Sequence, residues 1–352
     1  MPITQLIKNK QQGFTLVELM VGLVIGLIAT LAIMQTLSAF EGQKRTTTGT
    51  ADAQVNGSIA MYNIQRQVQM AGYGLPIFDA NALQNNNPLK CSPSTIDDDA
   101  NVATAKVEIF PITITDGGGT ANDSIAVRYF PSSTSGGLPT NVSNKSGSIL
   151  GVDNNLGCSQ NDIALVVSGT TCYAGKVTTT NANLVLDTTH VTLTGPDVAS
   201  MSFPSRLSCL GSANTITFAI TSNELTSQTN TNAAVPIISD IVSLQAQYGV
   251  SASATSNTIT QWVDASGGTW ATPTSANRNR IRAIRVAVVA RNGLLEKDVV
   301  TTAAPTLSWA DPTASPVPTI SLTGTANWGR YRYRVYQTII PLRNLTWSGQ
   351  WL

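Results

Sequence analysis

Charge is scarce in this 352-residue chain: Asp, Glu, Lys and Arg make up 12% of it and the net charge is +1. The overall balance therefore names no strongly acidic or basic partner. Histidine occurs once, at His190, and the four cysteines form no C-x-x-C pair, which removes the usual donor sets of a zinc site. No G-x-S-x-G elbow and no phosphate-cradling glycine loop is present, so nucleophilic and phosphoryl-transfer chemistry lack their residues. Neither an enzyme nor a cofactor is expected. No internal repeat is evident, which excludes solenoids and propellers. Proline is missing from residues 14–72, so nothing there forces a helix to break.

What is present is unevenly placed. A polar leader carrying Lys8 and Lys10 ends at Gly13, and a largely apolar run then extends from Phe14 to about Phe40. At ~1.5 Å per residue, that run is long enough to cross a ~30 Å hydrocarbon core. It is too long for the apolar core of a cleaved secretory signal, and the small residue Gly13 precedes it. With Lys8 and Lys10 kept cytoplasmic, the C-terminal bulk is exported. Glu18 lies near the start of the run, where burying a carboxylate costs on the order of 2.5–3.5 kcal/mol. A plain anchor gives no reason for that residue.

Beyond the apolar run, residues 41–56 turn polar and Thr-rich, with Gly42 and Gly49 weakening a helix. Ile59, Ile64, Val68 and Ala71 then recur at near-helical spacing and form a face able to pack on a sheet. Gly72-Tyr73-Gly74-Leu75-Pro76 supplies the stop. Gly22 and Gly26 form a small-xxx-small pair that permits close helix approach, although glycine is common in membrane helices generally.

After Pro76 the texture changes to short runs rich in Val, Ile, Thr and aromatics between turn residues. Strands are expected at 106–115, 124–130, 163–168, 173–178, 184–193 and 215–221. Turns are expected at Asp116-Gly117-Gly118-Gly119 and Ser135-Gly136-Gly137, and exposed loops at 222–234 and 251–258. Cys91, Cys158, Cys172 and Cys209 lie in the exported part, so two disulfides are expected. Three connectivities are open. Cys158–Cys172 is disfavoured because the runs around residues 168–171 read as a hairpin that would hold the two apart. Charge divides by region: +2 over residues 1–72 (5 basic, 3 acidic), −8 over 73–269 (6 and 14) and +7 over 270–352 (10 and 3). An acidic middle and a basic end can attract each other or different partners.

The segment Gly13-Phe14-Thr15-Leu16-Val17-Glu18 resembles the class III signal of type IV pilins and of the pseudopilins of type II secretion. The resemblance implies that a prepilin peptidase cuts after Gly13 and methylates Phe14, and that Glu18 pairs with the N-terminal amine of a neighbouring subunit. A carboxylate and an ammonium that meet only when subunits stack are each costly alone in an apolar medium and tolerable together. The unbroken helix departs from many major pilins, which kink at a proline; here position 35 is Gln35.

Toward the C-terminus, residues 238–250 resemble the segment before the last strands of PilW-type minor pilins, residues 280–291 follow, and residues 332–344 resemble that family's ending. The implied fold is α+β: a long N-terminal helix, half in membrane and half amphipathic, packed on a mainly antiparallel β head. The implied divisions are a leader over 1–13, a transmembrane and filament-core helix over 14–40, its amphipathic continuation over 41–72, and a head over 73–352 that has room for two sheets. The family's partners are the prepilin peptidase, the inner-membrane assembly platform, other minor pilins, the major pilin and a tip adhesin. Its implied course runs from the inner membrane, with a periplasmic head, to the pilus tip and cell surface, where it takes part in priming assembly. J-type pseudopilins share the layout and are the alternative.

Two Arg-rich runs, over 282–291 and 330–340, read as strands. If they pair, Arg282, Arg285, Arg330, Arg332 and Arg334 lie close together as a partner-docking basic face, or as a DNA- or surface-binding one with tyrosines alongside. The plainer reading is that they pair with the molecule's own acidic middle or face solvent. Asp97-Asp98-Asp99 carries oxygen ligands for a hard cation but lacks a glycine-turned loop, so a solvated loop is expected there and no metal. His190, in a Thr-rich run, is expected to be a surface or half-buried strand residue.

Overall fold

The computed structural model describes residues 13–76, 89, 91, 95–96, 107–132, 138–169, 171–182, 189–194, 201–309 and 315–345. Asp97-Asp98-Asp99 and Ser135-Gly136-Gly137 lie outside the described residues. One helix, α1 (Leu16–Gln69), runs without a break, so Gly42 and Gly49 do not interrupt it. Thr15 caps it, its hydroxyl accepting from the Glu18 N–H at 3.3 Å. The chain turns away at Gly72 and Gly74, whose φ values of 77° and 81° suit glycine.

The first strands form a short ribbon, β1 (Thr95–Ile96) with β2 (Val107–Glu108). The expected single strand over 106–115 is two, because Pro111 lacks an N–H to continue a ladder; the second part is β3 (Ile112–Thr115). β3 pairs with β4 (Ser124–Tyr129). A six-stranded closed barrel follows: β5 (Thr140–Ser146), β6 (Ile149–Val152), β7 (Ile163–Ser168), β8 (Thr171–Ala182), β9 (Thr189–Thr194) and β10 (Ser205–Gly211). Its order, β10-β5-β6-β9-β8-β7, returns to β10 and leaves no edge. Val142, Leu150, Val166, Val177, Val191 and Leu207 are in its core. His190 is buried in β9, neither at the surface nor half-buried as expected, because that strand is paired on both sides in the closed barrel.

After the barrel the chain rejoins β4. β11 (Asn214–Thr221) pairs with it from Asn214 opposite Tyr129, and β12 (Glu224–Thr229) and β13 (Val235–Ser239) complete a five-stranded sheet in the order β13-β12-β11-β4-β3. The barrel is thus an insertion between two hydrogen-bonded neighbours. The loop expected over 222–234 is corrected: its residues 224–229 are β12. Ser222 and Asn223 both take positive φ, 54° and 61°, and make the two-residue hairpin turn that suits right-twisted strands.

The last sheet is β14 (Ile241–Ser251), β15 (Ile259–Val263), β16 (Ile281–Arg291) and β17 (Tyr333–Pro341), in the order β15-β14-β16-β17. Two single-turn helices, α2 (Gly267–Trp270) and α3 (Ser275–Arg278), connect β15 to β16. The second half of α1 lies on this sheet through Gly49, Ala53, Gly57, Ala60, Ile64 and Val68. Ile59, expected on that face, is 45% exposed: its direction on the helix falls outside the stripe set by the small residues. The helix and both open sheets share one apolar core, with Ile112, Ile125, Phe218, Leu244, Val286 and Ile340 fully or almost fully buried. The head therefore contains a barrel, two open sheets and a ribbon among the described residues, not two sheets.

Candidate assembly interface

The N-terminal half of α1 touches nothing else in the molecule. Every residue from Phe14 to Phe40 is exposed, with Phe14 at 84%, and the stretch is apolar and long enough to cross a membrane. Its threonines are satisfied within the helix: the Thr30 hydroxyl donates to the Gly26 carbonyl at 2.9 Å and the Thr36 hydroxyl to the Ala32 carbonyl at 2.6 Å. Glu18 is the one ionisable side chain between Phe14 and Phe40. It stands in the first turn, where the exposed N–H groups of the helix favour a negative charge. A Cβ added at Gly22 or Gly26 would meet nothing within 4 Å, so neither glycine has a packing reason inside the single chain.

The second half of α1 is fixed on the head. Gly57 lets the helix sit against the Tyr336 ring, which occupies the place where a Cβ would stand. The Tyr336 hydroxyl donates to the Gln54 carbonyl at 3.1 Å and Asn344 Nδ2 to the Ala71 carbonyl at 2.9 Å. At the far end, Gly72 N–H donates to the Arg128 carbonyl at 2.9 Å and Phe130 N–H to the Tyr73 carbonyl at 2.8 Å. These contacts run along the docked half, so the head holds the exposed half of the rod in a set direction.

The basic face expected from the two Arg-rich runs does not form, although β16 and β17 do pair. Arg282 is 3% exposed and donates to the Ser256 and Asn279 carbonyls at 2.8 Å each, and to the Ala254 carbonyl. Arg285 is 2% exposed, donates to Gln247 Oε1, and lies between the Trp262 and Trp309 rings at 5.0 and 4.5 Å. Burial lowers its pKa to about 10, against the pull of Asp264. Arg330 sits in a short 3₁₀ turn (Trp328–Arg330), not in the strand, and donates to the Glu296 and Lys297 carbonyls at 2.8 Å each. Arg332 pairs with Glu296 at 3.0 Å; Arg334 is exposed. The physical reason is that β16 is a central strand covered on both faces, so its arginines are drawn inward onto carbonyls and aromatic rings.

The disulfides are Cys91–Cys172 and Cys158–Cys209. The first ties the chain before β1 to the barrel, the second closes the barrel's own long connection onto β10. Among the described residues no group of three metal-ligating side chains comes together. Three features of the sites were not anticipated from sequence: the Gly49, Ala53, Gly57 stripe, the Trp262–Arg285–Trp309 stack, and a buried carboxylate at Asp123. The stripe had a signal, small residues at every fourth position; the other two depend on partners far away in the chain.

An exposed apolar rod continuous with a helix clamped on a β head is the construction of a type IV pilin-like protein. Comparison with protein families adds two matches. Residues 8–34 match the prokaryotic N-terminal methylation motif and residues 210–344 match the type IV pilus-assembly protein W family. Together the two matches support a PilW-family type IV pilin, a family of structural pilus components rather than enzymes. Its prepilin motif implies processing by a prepilin peptidase and assembly with other pilins, and with the apolar helix it fits an inner-membrane-anchored pilin. Among solved structures, the type IV-like pilin TTHA1219 from Thermus thermophilus is similar at 7% identity and a TM-score of 0.36, over 82% of this chain and 96% of that one. No curated protein matches.

Proposed function

We propose that this chain is a minor pilin that takes part in priming pilus assembly and in a tip complex with other minor pilins and a tip adhesin. It is made as a prepilin with residues 1–13 as leader, cut after Gly13 and methylated at Phe14. Residues 14–40 hold it in the inner membrane at the assembly platform, with the head in the periplasm, until the helix moves into a filament that carries it to the pilus tip. Glu18 supplies register by meeting the amine of a neighbouring subunit, and Gly22 and Gly26 let helices approach closely. The observation that supports this best is that Glu18 is the only charge on an otherwise apolar rod that the rest of the molecule leaves uncovered.

Replacement of Glu18 by Ala tests the reading. Membrane insertion is expected to remain intact while incorporation into sheared filaments falls; equal incorporation of variant and wild type would refute the role. Mass spectrometry of the membrane-extracted protein is expected to find a methylated Phe14 as the first residue, and an intact Met1 would exclude the processing step.

A further inference from the structure

A cavity of about 280 Å³ lies between the β3 side of the five-stranded sheet and the α2–α3 connection, well apart from the exposed half of α1. Glu108, Phe110, Thr113, Tyr248, Thr272 and Arg278 line it. Two of its polar groups, Arg278 and Tyr248, have a hydrogen left to donate. Arg278 is 8% exposed; its Nη2 donates to the Cys91 carbonyl at 2.7 Å, but its buried Nε–H has no partner among the described residues. The guanidinium lies over the Phe110 ring at 5.5 Å, which holds it in place without supplying an acceptor in its plane. The Tyr248 hydroxyl accepts from the Ile114 N–H at 2.6 Å, and its own hydrogen finds no acceptor among the described residues. Burial pushes that phenol up to about 12, so it remains a donor at neutral pH.

Charge points the same way. Arg128 lies beside the cavity, donating to the Phe110 carbonyl at 3.1 Å and to Thr113 Oγ1 at 2.8 Å. Glu108 is the carboxylate that acts on both arginines, and its Oε1 already accepts the Phe110 N–H at 2.8 Å. Among the described residues, two guanidiniums thus face one carboxylate here. A buried guanidinium N–H and a phenol hydrogen without acceptors are costly unless an acceptor arrives from outside.

We infer that this cavity binds a small free carboxylate, whose oxygens accept from the Arg278 guanidinium and the Tyr248 hydroxyl while its carbon skeleton lies against Phe110 and the Ala271–Pro273 lid. An occupant of a few carbon atoms suits the volume, which is below that of drug-sized pockets. An acidic side chain of another protein carries the same chemistry and is kept as a separate arm of the test.

The test uses the full-length protein in detergent, with Tm followed at neutral pH during titration by sodium succinate and sodium acetate against sodium chloride of equal ionic strength. A saturable rise in Tm with at least one carboxylate, and none with chloride, is expected from binding to the folded state. Thr272→Trp, a change on the exposed lid, is expected to abolish the rise by filling the cavity without touching the core. Arg278→Lys is expected to raise the apparent Kd at least tenfold; should it fail to fold, Thr272→Trp carries the test. The inference is overturned by the lack of a saturable shift with both acids, by a shift that persists in Thr272→Trp, or by a shift given only by a Glu-containing peptide, which would mark docking by an acidic segment instead.

Discussion

Asp123 offers the sharpest test of how the two open sheets are joined. It is 3% exposed and immediately precedes β4, where its Oδ2 accepts the Ala246 N–H of β14 at 2.7 Å and its Oδ1 accepts the Gly117 N–H at 3.1 Å. Its own N–H donates to the Leu244 carbonyl at 2.9 Å, while Gln245 Nε2 donates to the Ala121 carbonyl at 2.8 Å. Burial outweighs the two accepted hydrogen bonds and, with nearby Asp116 and Asp264, moves the carboxyl from 3.8 up to about 7. The folded state therefore holds this proton more tightly than the unfolded state does. Its contribution to stability is full below about pH 4, declines as pH rises through the window to about 7, and is absent above it. A displacement of about three pH units at about 1.4 kcal/mol each sets an upper limit of about 4 kcal/mol. The perturbation is Asp123→Asn, which cannot ionise. Urea unfolding of wild type and variant across that window isolates the site as a difference, since the other titrating groups are common to both. Wild type is expected to lose ground to the variant by up to about 4 kcal/mol between pH 4 and pH 8. A difference that stays flat, or that moves in favour of wild type as pH rises, would refute the reasoning.

Three further outcomes can be checked. Gly57→Val places methyl groups where the Tyr336 ring lies, so thermal unfolding should show a loss of about 1–3 kcal/mol that Tyr336→Ala partly restores; no loss would mean the helix is not docked as described. Removing the Cys158–Cys209 bond by a double Ser substitution opens a 51-residue separation, worth up to about 4 kcal/mol in chain entropy. Limited proteolysis should then cut within residues 140–211 first. Joining Phe130 to Ala213 through Asn-Gly, with Cys91→Ser, removes the barrel at a point where Tyr129 and Asn214 are already opposite each other. Hydrogen exchange should still protect β14, β16 and β17 in that variant, and their loss would show that the barrel is needed to fold the head.

Local features were legible wherever neighbours in sequence decide the outcome. The long helix followed from apolar composition and the absence of proline, and the strands at 124–130, 163–168 and 215–221 from β-branched runs bounded by turn residues. The closed barrel was not legible, because nothing local in six short runs says that the last returns to the first and that the whole lies between two paired strands. Polar β12 looked like a loop since Leu225 is its one apolar residue and gives no apolar alternation, and only the Ser222-Asn223 turn marks the hairpin. Arginine was misread for a similar reason. Alternation along 282–291 assigns one face to solvent, but β16 is central and covered, so Arg282 and Arg285 point into neighbouring carbonyls, Gln247 and two tryptophans. Among the described residues the acidic middle and basic end meet in an ion pair between Arg291 and Asp240 at 2.9 Å, whereas Arg332 pairs with Glu296 inside the basic end.

The placement of small residues explains how one helix can serve two environments. Where α1 lies on the head, Gly49, Ala53 and Gly57 let it approach β16 and β17 so closely that the Tyr336 hydroxyl reaches a helix carbonyl. Larger residues there would lift the helix and remove that anchor. In the exposed half, Gly22 and Gly26 have no neighbour in this chain, yet they present the same kind of shallow surface. Under the proposed function the two stretches solve one problem twice: the first against a sheet already present, the second against helices that arrive only on assembly. Because the docked half is clamped at both ends, a subunit entering a filament would bring its head along in a nearly fixed direction, and a change at Gly57 that loosens the clamp should disturb filament incorporation as well as stability.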